Sequence, residues 1–240
     1  LLRAASGARL MPGARVTEVA RTASGFLITA EGLVAEADSV VLATGGMSYP
    51  GTGSSGDGLD IARRLGHRIV PPRPALCGAA SGGFSFLAGN GFPGVGAALF
   101  RNGRVARRGS GDLLFTHAGG SGPLVLNLAR HILPGDILAF NFLPPGDPEE
   151  FLSGFASIVK REPSGKTGSL LAGFPLSRAL ADFMLAAAGI SREKRRGDLS
   201  GQEMRRLGEL LVRFPVPVES VEGFDAAMVT AGGVALGEVN

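Results

Sequence analysis

Tryptophan is absent from this 240-residue chain, and tyrosine and cysteine occur once each. The lone cysteine, Cys77, excludes an internal disulfide framework and a cysteine-rich zinc site. Three scattered histidines make no histidine-based metal centre, so no metal is expected. No apolar run approaches the length of a membrane span. Residues 1–10 carry Arg3 and Arg9 but lack the apolar core of a signal peptide. Charge excess is also small: 24 Lys and Arg against 21 Asp and Glu leave +3, which is no nucleic-acid signature by itself. A reducing, cytoplasmic setting fits these absences, and neither a membrane nor a nucleic-acid partner is expected. The chain opens without Met in the middle of an apolar-basic pattern, which reads as an interior cut.

What remains is a globular composition, 45% apolar, with a core that must rest on Leu, Val, Ala and Phe. Glycine is abundant at 38 residues, without a collagen-like period, and it clusters in short loops. Residues 14–44 read as a β-meander followed by a buried strand. Val16 and Val19 lie in the first strand, Phe26–Thr29 form the second, and Gly32 turns into a short third. The β-branched run Ser39–Ala43 then ends at Thr44-Gly45-Gly46. A helix follows, capped by Ser54 or Ser55. Asp57 sits at its positive end, Leu59, Ala62 and Leu65 share a face, and Gly66 lies beyond its last turn.

Pro71-Pro72-Arg73-Pro74 enforces an extended connection and marks the main boundary. Residues 77–143 read mostly as β-structure. Asn102-Gly103 predicts a type I′ hairpin. Asp112–Thr116 and Ile137–Phe140 are strands, and a helix opens at Pro123 with Leu124, Leu128 and Ile132 inward. Residues 147–214 turn helical. Asp147-Pro148 starts one helix with Phe151, Phe155, Ile158 and Val159 on its apolar face. Pro175 opens another through Leu180 and Met184 to Gly189, and Ser200–Glu203 is a capping box for a third. Pro215 and Pro217 end the helical block.

Several tempting motifs fail on context. Gly51–Gly56 matches G-x-G-x-x-G, but no strand leads directly into it, and a proline-rich stretch replaces the acidic residue needed about 20 positions later. Gly165-Lys166-Thr167 resembles the end of a P-loop, but Lys160 stands where its first glycine belongs, so it reads as a surface loop. His117 is a candidate proton donor, yet no carboxylate lies near it in sequence, which favours a loop-junction histidine. Arg192–Arg196, with Arg205 and Arg206, can meet phosphates of RNA or NADPH; a solvated helix face is the default.

The order of motifs is more specific than any one of them. Ala43-Thr44-Gly45-Gly46-Met47-Ser48-Tyr49-Pro50, Gly66-His67, Pro74-Ala75-Leu76, Leu114–His117, Ser121-Gly122-Pro123 and Ala227–Val234 together resemble the BaiN/RdsA family of NAD(P)/FAD-dependent oxidoreductases. The resemblance implies an α+β fold in which partial Rossmann-like FAD-domain segments, residues 1–70 and 226–240, flank an insert over 71–225. That insert would comprise a β-barrel, residues 71–146 and 215–225, and a helical subdomain, residues 147–214. The family's N-terminal nucleotide fingerprint and its C-terminal flavin-facing stretch are missing, so the chain would be a fragment truncated at both ends.

The resemblance also implies FAD in the complete enzyme, NAD(P)H as a candidate electron donor, and hydride transfer through flavin N5 to or from a small organic substrate. By position, Val16, Ala43, Thr44, Gly45, Gly46, Asp57, Gly58, Gly232 and Gly233 are the implied cofactor-binding residues. The four glycines Gly45, Gly46, Gly232 and Gly233 would admit close backbone approach to FAD, and Asp57 would fix its turn. No residue takes a catalytic role. Two alternatives stand: a catalytically incomplete scaffold or interaction module without flavin, and a phosphate- or RNA-binding module.

Overall fold

The computed structural model describes residues 8–143 and 146–239; Arg3 and Asn240, used above, lie outside them. The chain divides into two compact units. One comprises the chain up to Arg73 and from Thr230 onward, and the other is Pro74–Val229.

The first unit begins with an antiparallel meander of β1 (Val16–Arg21), β2 (Phe26–Ala30) and β3 (Leu33–Ala37). Gly32 turns β2 into β3 with φ +73°, a conformation that glycine adopts without Cβ strain. The expected buried strand over 39–43 is not formed: Val41 is 88% exposed. A β-branched run is buried as a strand only when neighbouring strands flank it, and none of the described strands pairs with this one. The next element, α1 (Asp57–Arg64), is capped by Gly56 in the left-handed region with no side-chain bond, not by Ser54 or Ser55. Gly58, Ile61 and Ala62 are its buried residues, and Gly66 follows it with φ +99°. After it, β4 (Ile69–Ala75) carries three prolines, which suits a strand in a two-stranded sheet where few ladder bonds are required. Its partner is the C-terminal strand described last.

The second unit contains β5 (Ala79–Ala80), β6 (Gly91–Arg101), β7 (Arg104–Phe115), β8 (Gly119–Ser121), α2 (Gly122–Ala129) and β9 (Ile137–Asn141). Then come α3 (Pro148–Lys160), α4 (Thr167–Leu171), α5 (Arg178–Ala188), α6 (Gly201–Val212), β10 (Phe214–Pro217) and β11 (Ser220–Val221). The chain returns to the first unit through β12 (Val229–Val234), which pairs with β4.

Seven strands form one antiparallel sheet in the order β10-β9-β6-β7-β8-β5-β11. The sheet is open, with β10 and β11 as its edges, so the expected β-barrel is corrected to an open sheet. Pro215 and Pro217 deny β10 two donors for a further ladder. At the other edge, β5 and β11 are only two residues long. The whole is a mixed α/β, Rossmann-like fold with several antiparallel sheets.

Phenylalanine takes the place of the missing tryptophan in the core. Phe84, Phe92, Phe115, Phe140, Phe142 and Phe214 form a chain of ring contacts with centroids 5.0–6.3 Å apart. The hairpin between β6 and β7 turns at Asn102 and Gly103, both with positive φ, as a type I′ turn requires. Asp147 accepts from the Glu149 amide at 3.0 Å to cap α3, and Ser200 with Glu203 closes a capping box on α6. The α5 cap is Ser177, not Pro175. The Gly-Lys-Thr stretch is no simple surface loop: Thr167 is fully buried at the start of α4, its hydroxyl between the carbonyls of Ser191 (3.0 Å) and Lys194 (2.8 Å).

Candidate functional site

Three segments of the first unit converge on one another: Ala43–Met47, the Ser54–Leu59 turn into α1, and the start of β12. Thr230 joins the first to the third. Its Oγ1 accepts from the amides of Met47 (2.8 Å) and Ser48 (3.1 Å) and lies 3.1 Å from Ser48 Oγ. A Cβ on Gly46 would sit 2.5 Å from that same Oγ1. A Cβ on Gly58 would land inside the Thr44 side chain, which ties the strand end to α1. On Gly232 it would meet the carbonyl oxygens of Pro71 at 2.6 Å and Val70 at 2.9 Å.

Gly46, Gly58 and Gly232 are therefore required by the protein's own packing. Gly45 and Gly233 differ. Both have positive φ, +75° and +109°, and their nearest neighbours are side chains, Ser54 Oγ at 3.3 Å and Leu59 Cδ2 at 3.7 Å. Ala43, Thr44 and Gly45 are exposed, and the Thr44 hydroxyl makes only a long 3.5 Å bond to the Gly45 carbonyl.

Asp57 reaches the meander. One of its carboxylate oxygens accepts from Arg15 Nε at 2.9 Å and Nη2 at 2.7 Å. The Arg15 hydrogen bonds, with a smaller contribution from Ser55, hold the Asp57 carboxyl below the ordinary carboxylate range. The pair closes one side of a groove of about 210 Å³ that Val16, Thr17, Glu31 and Ile61 also line. Val16 and Asp57 thus share a groove although 41 positions separate them, as read from the two numbers. This groove is smaller than the roughly 300–1,000 Å³ that small-molecule sites enclose. Its lining carries the carboxylates of Glu31, Asp57 and Asp60 beside the guanidiniums of Arg15 and Arg64.

The remaining candidates lie elsewhere. The His67 Nδ1 is 3.2 Å from Glu238, which also accepts from the Arg68 amide at 2.9 Å. That amide first, then His67, pulls the Glu238 carboxyl downward. His117 is exposed. Most of the basic run in the helical block is paired: Arg192 with Asp182, Lys194 with Glu203 at 2.7 Å and Arg196 with Glu162 at 2.8 Å, while Arg195 is exposed. A larger cavity of about 700 Å³ opens beside α3, lined by Phe151, Ile158, Arg161 and Phe174, and it contains none of the implied cofactor residues.

Among the described residues, no group of three or more His, Cys, Asp or Glu is placed to hold a metal, and no helix is long and apolar enough to cross a membrane. Sequence reasoning missed Thr230, Arg15 and Glu238. Only Thr230 carried a signal, as the first residue of Thr230-Ala231-Gly232-Gly233, which echoes Ala43–Gly46.

A Rossmann-like α/β unit with glycine-lined chain ends gathered at a helix start defines the class of nucleotide-cofactor proteins. The HI0933-like protein Rossmann domain matches residues 3–240, and the chain belongs to that family of FAD-dependent oxidoreductases. It is 32% identical over 230 residues to a ribosomal RNA dihydrouridine synthase of Escherichia coli (strain K12), covering 94% of this chain and 55% of that protein. A 3-dehydro-bile acid delta(4,6)-reductase of Clostridium scindens is 30% identical over 240 residues, covering 96% and 58%. A ribosomal RNA dihydrouridine synthase of Haemophilus influenzae is 24% identical over 236 residues, covering 95% and 56%.

The chain spans little more than half the length of these relatives. The BaiN/RdsA assignment is corrected to the HI0933-like family, whose match runs over nearly the entire chain, and that match does not support the reading of a fragment truncated at both ends. The family is associated with FAD- and NAD(P)-binding oxidoreductases.

Proposed function

We propose that this protein acts in FAD-dependent reduction or oxidation of an organic substrate, with NAD(P)H as the electron donor. The observation that carries the reading is the convergence of Ala43–Met47, the Ser54–Leu59 turn and Thr230–Gly233. When bound, FAD supplies two-electron hydride transfer at N5, and the protein supplies binding, orientation and electrostatics. The groove at Val16 takes the adenine end. Asp57 holds Arg15 across the groove and so fixes its width. Exposed Ala43, Thr44 and Gly45 face the cofactor in this reading, and Gly45 adds no Cβ to its approach. Gly46, Gly58 and Gly232 build the wall behind them by admitting Thr230, Thr44 and the β4 carbonyls.

In this reading residues 1–70 and 226–240 are the FAD-binding part, and 71–225 are an insert. The names of the relatives guide the substrate class. A delta(4,6)-reductase saturates a carbon–carbon double bond, and dihydrouridine is uridine with two hydrogens added. A substrate with a reducible double bond is therefore proposed. The lone thiol of Cys77, buried and raised in pKa first by that burial and then by Glu222, suits a reducing cytoplasmic setting.

The test is anaerobic. The protein is mixed with FAD, freed of unbound flavin, and titrated with NADPH and NADH while the flavin absorbance is followed. Bleaching by either nucleotide is expected. Retained flavin that neither bleaches would remove NAD(P)H from the reading. No retained flavin would favour the scaffold alternative.

A further inference from the structure

The cavity beside α3 lies wholly within the second unit. At about 700 Å³ it falls in the roughly 300–1,000 Å³ range of small-molecule sites. Leu143, Ile158 and Val212 give it an aliphatic lining. Phe151 and Phe174 form an aromatic corner in it, with ring centroids 6.2 Å apart and planes at 83°. One stripe of α3 faces the space: Glu150, Phe151, Gly154, Ser157 and Ile158 recur at helical spacing, with Arg161 just past the last turn.

Gly154 keeps that space open. Glycine in a helix interior is destabilising relative to alanine, so it calls for a packing or functional reason. Gly208 of α6 has a packing reason: a Cβ there would meet Leu152 Cδ2 at 3.0 Å and Phe155 Cδ1 at 3.2 Å. A Cβ on Gly154 would meet nothing within 4 Å, although the residue is half-buried. The missing side chain leaves helix backbone bare toward the cavity, as close approach of a ligand requires.

Charge defines the head of that ligand. Asp147 and Glu150 stand at the N-terminal end of the stripe, beside Phe151. Arg161 stands at the other end, roughly 16 Å from Glu150 at about 1.5 Å per residue. Neighbouring Glu149 is paired with Arg213, but neither Asp147 nor Glu150 forms an ion pair among the described residues. One Asp147 oxygen accepts from the Glu149 amide, which leaves the other for a ligand. Carboxylates and the negative faces of aromatic rings both attract an organic cation and repel an anion.

We propose that this cavity binds an organic ammonium ion with an apolar tail. The head lies among Asp147, Glu150 and the Phe151–Phe174 corner, and the tail runs along Gly154 and Ile158. The competing explanation is that the charges only complement the dipole of α3, acids at its start and Arg161 at its end.

The proposal is independent of the flavin reading, because the cavity contains none of the implied cofactor residues, and its test measures no flavin. The full chain is titrated by isothermal calorimetry with decylamine, decanol and decanoate, which share a tail and differ in head charge, all below micelle-forming concentrations. Decylamine is expected to bind at least about tenfold tighter than either of the others. D147N/E150Q, in which asparagine retains the helix cap, should bring decylamine down about tenfold, to the affinity of decanol. Gly154→Leu, which fills the open space, should weaken decylamine by at least about tenfold.

Binding of decanoate or decanol as tight as that of decylamine would overturn the proposal. So would absence of decylamine binding, or unchanged affinity in either variant. If G154L loses its helical circular dichroism, Ser157→Leu, an exposed position on the same stripe, replaces it with the same expected loss.

Discussion

Gly46→Ala is the sharpest perturbation of the candidate site, because the new methyl group meets a hydrogen-bond hub and not empty space. Its Cβ would lie 2.5 Å from Thr230 Oγ1 and 2.7 Å from Thr230 Cβ. Thr230 must shift, and the bonds from the Met47 and Ser48 amides to its Oγ1 lengthen or break. Overpacking of this kind costs about 1–3 kcal/mol. The lost bonds add about 1 kcal/mol, since water reaches these half-buried groups. A local destabilisation of about 2–4 kcal/mol follows.

Two units make a single global unfolding energy ill-defined, so the assay is native-state hydrogen exchange at the Met47 and Ser48 amides. Their protection should fall about 30- to 700-fold. Thr230→Gly, which removes the opposing atoms, should deprotect the same amides by itself. In the double variant the clash is gone, so the combined effect should be smaller than the sum by about 1–3 kcal/mol. Additivity within about 0.5 kcal/mol would refute the argument that Thr230 is the reason for glycine at 46.

Three further outcomes follow from the same structure. Glu203, bonded to Lys194 and to the Ser200 amide and hydroxyl, has its pKa drawn down to about 2 from 4.5. Its folded pKa is depressed, so its stabilisation is complete above pH 4.5 and is lost as pH falls toward 2; Glu203→Gln should remove this part of the acid sensitivity of helical circular dichroism. Asp136→Ala leaves the Leu133 amide without its acceptor and Arg101 with only the His131 carbonyl; with Arg101 partly exposed, a loss of about 2–3 kcal/mol is expected in the chemical-denaturation transition of the second unit, and a loss under about 0.5 would contradict it. Thr167→Val keeps shape but removes the hydroxyl held between two carbonyls, and should cost about 1–3 kcal/mol in the same assay while leaving nucleotide binding unchanged.

Features governed by a few neighbouring residues were legible in the sequence. The Asn102-Gly103 turn, the Asp147 cap and the Ser200–Glu203 box each depend on atoms within four positions of one another, and each forms as read. Features governed by distant partners were not. The Ser39–Ala43 run has the composition of a buried strand, but burial depends on strands beside it that are not formed. Barrel closure failed for a similar reason, since it requires the edge strands β10 and β11 to pair, and β10 lacks two donors at Pro215 and Pro217 while β11 is two residues long.

The candidate site divides in the same way. The glycines announced themselves by type. Whether each admits a ligand or the protein itself depended on Thr44, Pro71 and Thr230, the last of them 184 positions from Gly46 by subtraction of the residue numbers. The run Arg192–Arg196 offered phosphate contacts by composition, but its partners Glu162, Asp182 and Glu203 come from elsewhere in the chain.

Direct titration of FAD into the protein, followed by quenching of flavin fluorescence, tests the central claim. The account predicts saturable binding that Val16→Glu weakens at least tenfold, about 1.4 kcal/mol, by placing a fourth carboxylate beside Glu31, Asp57 and Asp60 in the groove. Absence of saturable binding, or equal affinity in the variant, would contradict it.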